Sequence, residues 1–439
     1  MVHFVLDLTI PLSLSLSLGR ATATRRAQEA CEVPLSTLRC AVLSSLLSVC
    51  AGTLVGQSVL IVGPGGFATI QAAVDAAVDG DVVRIAPGIY NNFICTKGLT
   101  LLCDPPGTVR ITRLTSAPSG TSFSMTPLVT PAQQLRLCDL VFDQYPVFGF
   151  SSVGISGGVS SIERCTFVGS QNPMLTVAAY ATAVMRHCTL QGVGAPLFVT
   201  SSSHVTASQC TFTSGPAIGI SSFNAAVIVQ GSTAQFSNCT MTGGSLPPVI
   251  SGVGGGPGIQ ASASTVWVVD CVIRGGNSVT AGILGGPAIV SSLGTVYHDR
   301  CTLIGGTSPS GPVPVIFGAA QAQPMLAATS SGFGLQPASK LRVVFTAAPR
   351  DPLFVLATTE VQPAAVVPFT QQPSFGFQAP VGIIVAAVFT DERGSASVTI
   401  PVPNTPSVLH TGLWVRGIDA VSVPLQASPV VGGVIRNGG

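Results

Sequence analysis

Seven short segments of this chain share one plan: a polar residue, a cysteine, usually a threonine, then an apolar residue. They are LRLCDLVF around Cys138, IERCTFVG around Cys165, MRHCTLQG around Cys188 and ASQCTFTS around Cys210, followed by FSNCTMTG around Cys239, VVDCVIRG around Cys271 and HDRCTLIG around Cys301. Successive cysteines lie 27, 23, 22, 29, 32 and 30 residues apart. A period in this range belongs to stacked coils, blades or solenoid units. The segments have no 3.6-residue periodicity, so helical repeats are excluded. They alternate instead: Cys inward, Thr outward, the next apolar residue inward, with Gly soon after in most copies. That pattern is a short strand entering a turn. The shortest interval fits one coil of three short strands and their turns. Longer intervals carry insertions such as GGSLPPVISGVGGGPG (243–258), expected to leave the coil as outward loops. Coils stack at about 4.8 Å, and each buries its inner layer only against a neighbour. The expectation is an all-β chain with a parallel β-helix over 57–318.

The start of this region supplies an end cap. FATIQAAVDAAVDG (67–80) places Ile70, Val74 and Val78 on one face of a short helix, with Gly80 as its C-cap. An exposed solenoid end is an unpaired edge over a naked core, so a covering helix has a physical purpose. DVVRIAPGIY (81–90) then reads as a strand and a Pro-Gly turn, and FICTKGLTLLCD (93–104) as two more short strands.

Residues 66–107, GFATIQAAVDAAVDGDVVRIAPGIYNNFICTKGLTLLCDPPG, resemble the opening of right-handed parallel β-helix proteins of the pectate-lyase-like superfamily. The resemblance implies a right-handed coil and a setting among carbohydrate-binding proteins and sugar hydrolases. Pectin methylesterases begin in a similar way, and carry Gln-Asp-Thr and Asp-Phe-(Val/Ile)-Phe-Gly motifs around two catalytic aspartates and an arginine. This chain has no counterpart: CDLVFDQ (138–144) has the wrong order and QNPMLT (171–176) lacks the Asp. The resemblance therefore carries the fold and not the esterase activity.

Composition agrees with an all-β chain. Charged residues make up 8% of the 439, Gly 49 and Pro 33, and the net charge is +2. Nothing in that balance suits nucleic-acid binding. Within residues 1–56, Arg39 precedes an uncharged run from Cys40 to Gly56, the pattern of a secretory signal. The run falls short of the ~20 residues a membrane span needs. The expectation is export to the cell surface or medium, with no membrane span in the mature chain. After residue 318 the period stops and QAQPMLAATSSG (321–332) reads as a boundary. Strand-like runs follow at 340–349, 352–361, 381–391, 394–403, 409–419 and 421–428. This spacing suggests a small C-terminal β-sandwich over 319–439. TDERGSASVTIPVPNTPSVLHTGLWVRG (390–417) resembles small sandwich domains at the C-termini of large secreted bacterial proteins.

Of the twelve cysteines, Cys31, Cys40 and Cys50 fall in the leader. The seven repeat cysteines are expected to be buried thiols, because parallel side chains in a stack hold their Cβ atoms beyond disulfide distance; Cys95 and Cys103 either join the stack, the favoured reading, or pair with each other. No C-x₂₋₄-C or paired-His spacing points to zinc, and no G-x-S-x-G elbow to a serine nucleophile. LIVGPGGFAT (60–69) lacks the G-K-S/T ending of a phosphate loop and reads as a turn into the cap.

Three functional readings remain. A binding face needs only regular polar columns. Arg164, His187, Gln209, Asn238, Asp270 and Arg300 precede the cysteines, while Thr166, Thr189, Thr211, Thr240 and Thr302 follow them. Such a strip can hydrogen-bond an extended glycan, although threonine also simply suits strands. An enzyme would draw on Asp270 and Asp299 with Arg300, near Arg274 and His298. Carboxylates paired across adjacent coils at roughly 5–9.5 Å serve glycoside hydrolysis, and with an arginine base and calcium they would serve a polysaccharide lyase. Glu163, Arg164, Arg186 and His187 form a second polar cluster. The bland alternative for both clusters is turn residues facing water. The favoured expectation is an exported, non-catalytic β-helix that contacts carbohydrate, such as a polysaccharide or cell-surface glycan, or acts as a surface scaffold, without a cofactor. A structural stalk or adhesin is the third reading.

Overall fold

The computed structural model describes residues 57–112, 123–125, 134–144, 153–169, 173–216, 225–245, 254–309, 311, 313–323, 325–331, 335–358, 383–402, 404, 409, 412–419, 428 and 431–435. The leader with its three cysteines lies outside these residues, as does the strand expected over 421–428, apart from Ser428.

The cap helix α1 spans Ile70–Ala76. Thr69 is its N-cap, its side chain accepting from the Ala72 N–H, and Ile70, Ala73 and Val74 bury against the first coils. The helix is shorter than expected. Ala77 is already extended, so Val78 falls beyond the last turn and is exposed. Gly80 serves a later turn at φ +92°.

Three parallel sheets follow: sheet A with eleven strands, B with nine and C with eight. One coil passes through Val159–Glu163 in A, Thr166–Gly169 in B and Leu175–Ala178 in C, and the next begins at Thr182–Arg186. Neighbouring strands stack in register, so each inward position forms a column along the axis. The sheet B column runs Phe142, Phe167, Leu190, Phe212, Met241 and Ile273, all buried. Phe142 and Phe167 stack with ring centroids 4.8 Å apart, the spacing of the coils themselves. Between Phe93 and Lys97 the second expected strand is absent; only Thr100–Cys103 is one. The last parallel strand is Ala320–Ala322.

The residue before each ladder cysteine, like Asp139 before Leu140, is a left-handed corner from sheet A to sheet B. Asp139, Arg164, His187, Gln209, Asn238, Asp270 and Arg300 have φ between 48° and 61°, a region most non-glycine residues avoid. The corner N–H donates to the last sheet A carbonyl of the next coil, as Arg164 N–H does to Arg186 O at 2.9 Å. The cysteine after the corner turns its thiol back to the carbonyl two residues earlier. Cys188, Cys210 and Cys271 each reach it at 3.2 Å. A small side chain with a weak donor is what that position accommodates. Burial pushes the Cys165, Cys188 and Cys210 thiols well above their ordinary pKa. None of the nine described cysteines is in a disulfide.

The ladder has six thiols, not seven. Register pairs Glu163 with Cys138 and Thr166 with Val141, so Leu140 holds the rung that Cys165 holds one coil later. Asp139 is the corner there. Cys138 ends its sheet A strand and faces outward into a cluster with Val82, Leu102 and Val434.

The insertions also differ from simple loops. Their Gly-Gly ends stack as a buried seam: Gly256 donates to Gly244, Gly276 to Gly256, Gly286 to Gly276 and Gly306 to Gly286, at 2.7–2.9 Å. A Cβ on Gly276 would stand 2.0 Å from the Gly244 oxygen, so no other residue fits this approach.

The C-terminal region forms two antiparallel sheets. One holds Ala327–Ser331, Lys340–Thr346 and Ser395–Pro401; the other Ile383–Phe389, Pro352–Thr358, Gly412–Asp419 and Val431–Val434. Leu341, Val343 and Phe345 from the first meet Leu353, Val355 and Val415 from the second in one core. Strand Ala327–Ser331 lies within the stretch expected to be only a boundary.

Candidate functional site

Side chains on the outer faces of sheets A and B meet different surroundings. In sheet A every residue of Val159–Glu163 and of Thr182–Arg186 is buried, inward ones such as Ile162 and Met185 in the solenoid core and outward ones such as Glu163 and Arg186 against the C-terminal sheets. The chain turns back after the last coil and crosses the sheet. Met325 and Ala327 pack on Trp267 and Val269, Ser330 Oγ accepts from Arg186 at 2.6 Å, and Val434 covers Val82 and Cys138. Met325 to Ser330 is about 17 Å of extended chain, close to the roughly 19 Å of four coil spacings between the Asp299 and Arg186 strands.

Two ion-pair clusters of the same construction sit where this crossing meets the corners. In one, Arg300 Nε and Nη2 donate to the two oxygens of Asp270 at 2.8 and 3.2 Å. Arg300 also binds Asp299, whose Oδ2 accepts the Met325 N–H at 3.0 Å. In the other, Arg164 donates to both oxygens of Asp139 at 2.7 and 3.1 Å and to Glu163. Glu163 Oε2 accepts the Val434 N–H at 3.0 Å. Each cluster links a corner Asp, the corner Arg of the next coil, the acid before that Arg, and a main-chain N–H of the C-terminal sheets. The structure thus brings Asp270, Asp299 and Arg300 together, with both Asp270 oxygens engaged by the guanidinium. Among the described residues no three His, Cys, Asp or Glu side chains converge as a cation cage.

His187, next to this region, is half-buried and lies 3.4 Å from an Arg186 guanidinium nitrogen. Burial, then the Arg186 charge, lowers its pKa to about 4, so it is neutral near pH 7. Arg164, His187, Gln209, Asn238 and Asp270 are likewise half-buried corners, with only Arg300 of this column exposed. They form an edge, not a strand face.

Sheet B keeps an open outer face. Thr166, Thr189, Thr211 and Thr240 stack in register on consecutive coils, Val272 interrupts, and Thr302 resumes. A second column runs Val168, Gln191, Thr213, Thr242 and Arg274. Thr189, Gln191, Arg274 and Thr302 are exposed, and the remaining threonines of the two columns half-buried. At the first coils Arg110 and Asp143 pair at 2.8 Å on this face.

Residues 150–296 match the family described as the right-handed β-helix region. The solenoid is a right-handed parallel β-helix. No curated protein matches the chain. Among solved structures, a carrot pectin methylesterase is 16% identical, with 62% of this chain and 89% of that one covered at a TM-score of 0.42. A pectin methylesterase from Aspergillus niger is 15% identical, with 62% and 93% covered at 0.38. The enzymatically active domain of tailspike protein 2 from bacteriophage CBA120 is 10% identical, with 86% and 77% covered at 0.34.

The β-helix holds one device that the cysteine repeat hid. At the corner from sheet C to sheet A, Ser203, Ser232 and Ser264 form a second inward ladder. Ser203 N–H donates to Ser232 Oγ and Ser232 N–H to Ser264 Oγ, both at 3.2 Å. Left-handed Ser202, Gly231 and Ala263 precede them. The signal was a serine immediately before an alternating strand, lost among many other serines.

Proposed function

We propose that this is an exported, non-catalytic β-helix whose sheet B face, bordered by the corner column, contacts polysaccharide. The observation that carries the reading is the contrast between its faces. Sheet A is covered and its acids are held in ion pairs, while sheet B presents stacked hydroxyl, amide and guanidinium groups over consecutive coils. Hydroxyl columns repeating at about 4.8 Å offer donors and acceptors together, which suits a chain of sugar hydroxyls. A hydrolase or lyase using Asp270, Asp299 and Arg300 finds less support, because proton transfer needs a carboxylate free to exchange its proton with substrate.

A glycan panel with the full chain tests this. Wild type is expected to bind at least one polysaccharide. The double variant Thr189→Val/Thr211→Val, which keeps β-branching and removes two hydroxyls, is expected to bind about tenfold more weakly, the loss of roughly 1.4 kcal/mol. Absence of binding across the panel, or unchanged binding by the double variant, contradicts the proposal.

A further inference from the structure

We propose that the C-terminal sheets are a releasable cover, latched over sheet A at two corners, and not a permanent second half of the fold. The contact is built in three parts. Apolar anchors stand at its two ends: Trp267, Val269, Met325 and Ala327 at one, Val82, Leu102, Cys138 and Val434 at the other. Between them lies a polar span of four coils. Thr206, Ser208 and Ser237 there are at most 2% exposed, and their hydroxyls have no hydrogen-bond partner among the described residues. Such groups weaken an interface, because burying an unsatisfied hydroxyl is unfavourable. The closed state is held at its edges and, within the span, by the hydrogen bond from Arg186 to Ser330 Oγ at 2.6 Å.

The edges are the two corner clamps. Glu163 and Asp299 each give one oxygen to a cover N–H while binding the arginine beside them. Arg164 and Arg300 are in turn oriented by Asp139 and Asp270. The same four-part latch thus occurs twice, at corners five coils apart. Beside the polar span run the half-buried corners His187, Gln209 and Asn238. Release would extend the sheet B surface around this edge onto sheet A, and that consequence alone rests on the binding reading above.

The test uses a thiol placed under the cover and a native thiol in the core. Ser237→Cys puts one under the cover, and Cys239, two residues on, points into the solenoid. Labelling with a water-soluble thiol reagent, read by mass spectrometry, separates the two sites. Cover release labels the introduced thiol at least tenfold faster than Cys239. Adding Arg300→Met raises that rate a further several-fold and leaves the Cys239 rate unchanged. Equal rates at the two sites in both backgrounds mean that only global unfolding exposes sheet A, and overturn the proposal. Ser208→Cys beside Cys210 repeats the comparison one coil away, should the first variant fold poorly. Neither readout involves a glycan, so failure here leaves the binding reading to its own test.

Discussion

Sheets A and B are made by the same coils with the same strand spacing and the same inward columns, yet their outer faces have opposite fates. Over its middle coils sheet A carries Glu163, Arg186, Thr206, Gln235 and Trp267 outward and buried, while Ile61 at its first strand is exposed; sheet B carries threonine and is open. The inner layer therefore specifies a β-helix without specifying which side meets the world. That choice rests on a few outward residues: apolar anchors at the ends of A, and acids positioned to take main-chain N–H groups from a second layer. Charge on a solenoid face is no sign of a reactive site when a covering element ends in unsatisfied N–H groups beside it.

The two faces should differ most at the buried Glu163–Arg164 cluster. Glu163→Ala leaves Arg164 short of a partner and Val434 N–H without its acceptor, and is expected to destabilise the protein by about 3–5 kcal/mol in urea denaturation. A core truncation that ignores the faces, Phe167→Ala, sets the scale at about 3–5 kcal/mol. Ser232→Ala strips the acceptor from the buried Ser203 N–H and should cost about 1–3 kcal/mol. Asp299→Ala, at the more exposed latch, is expected to cost about 1 kcal/mol. Thr211→Val on the open face should fall within about 0.5 kcal/mol of wild type. Equal losses at Glu163 and Thr211 would show that the two faces are not in different environments.

Acid sharpens the same contrast. His187 has a folded pKa of about 4 against an ordinary 6.5, so the unfolded chain takes up its proton first. Its contribution is fully present above pH 6.5, is lost as pH falls from 6.5 towards 4, and changes no further below. His187→Gln should flatten that part of the stability–pH curve, read by chemical denaturation at pH 7, 5.5 and 4.

Much of the fold was legible because the inner layer repeats. Cysteine, one outward residue and an apolar residue at a fixed spacing encode a turn and a strand in every coil. The reading slipped at Cys138, where a cysteine stands two places early and Leu140 takes the rung; only register shows it. Strand Val431–Val434 escaped because VGGV has no alternation. The nearness of Asp270, Asp299 and Arg300 followed from stacking, but their commitment to Met325 did not, since nothing in the repeat indicates that a later strand crosses sheet A. The polar column before the cysteines also changed character: a strand position would have projected it, whereas a left-handed corner half-buries it.

In the proposed function the open threonine face of sheet B, and not the covered face of sheet A, contacts polysaccharide. Titration of wild type, Thr189→Val/Thr211→Val and Thr206→Val against a polysaccharide found on the panel compares the faces with one chemical change. About tenfold weaker binding is expected for the sheet B variant and wild-type binding for Thr206→Val. Loss of binding with Thr206→Val, while the sheet B variant binds as wild type, would contradict it.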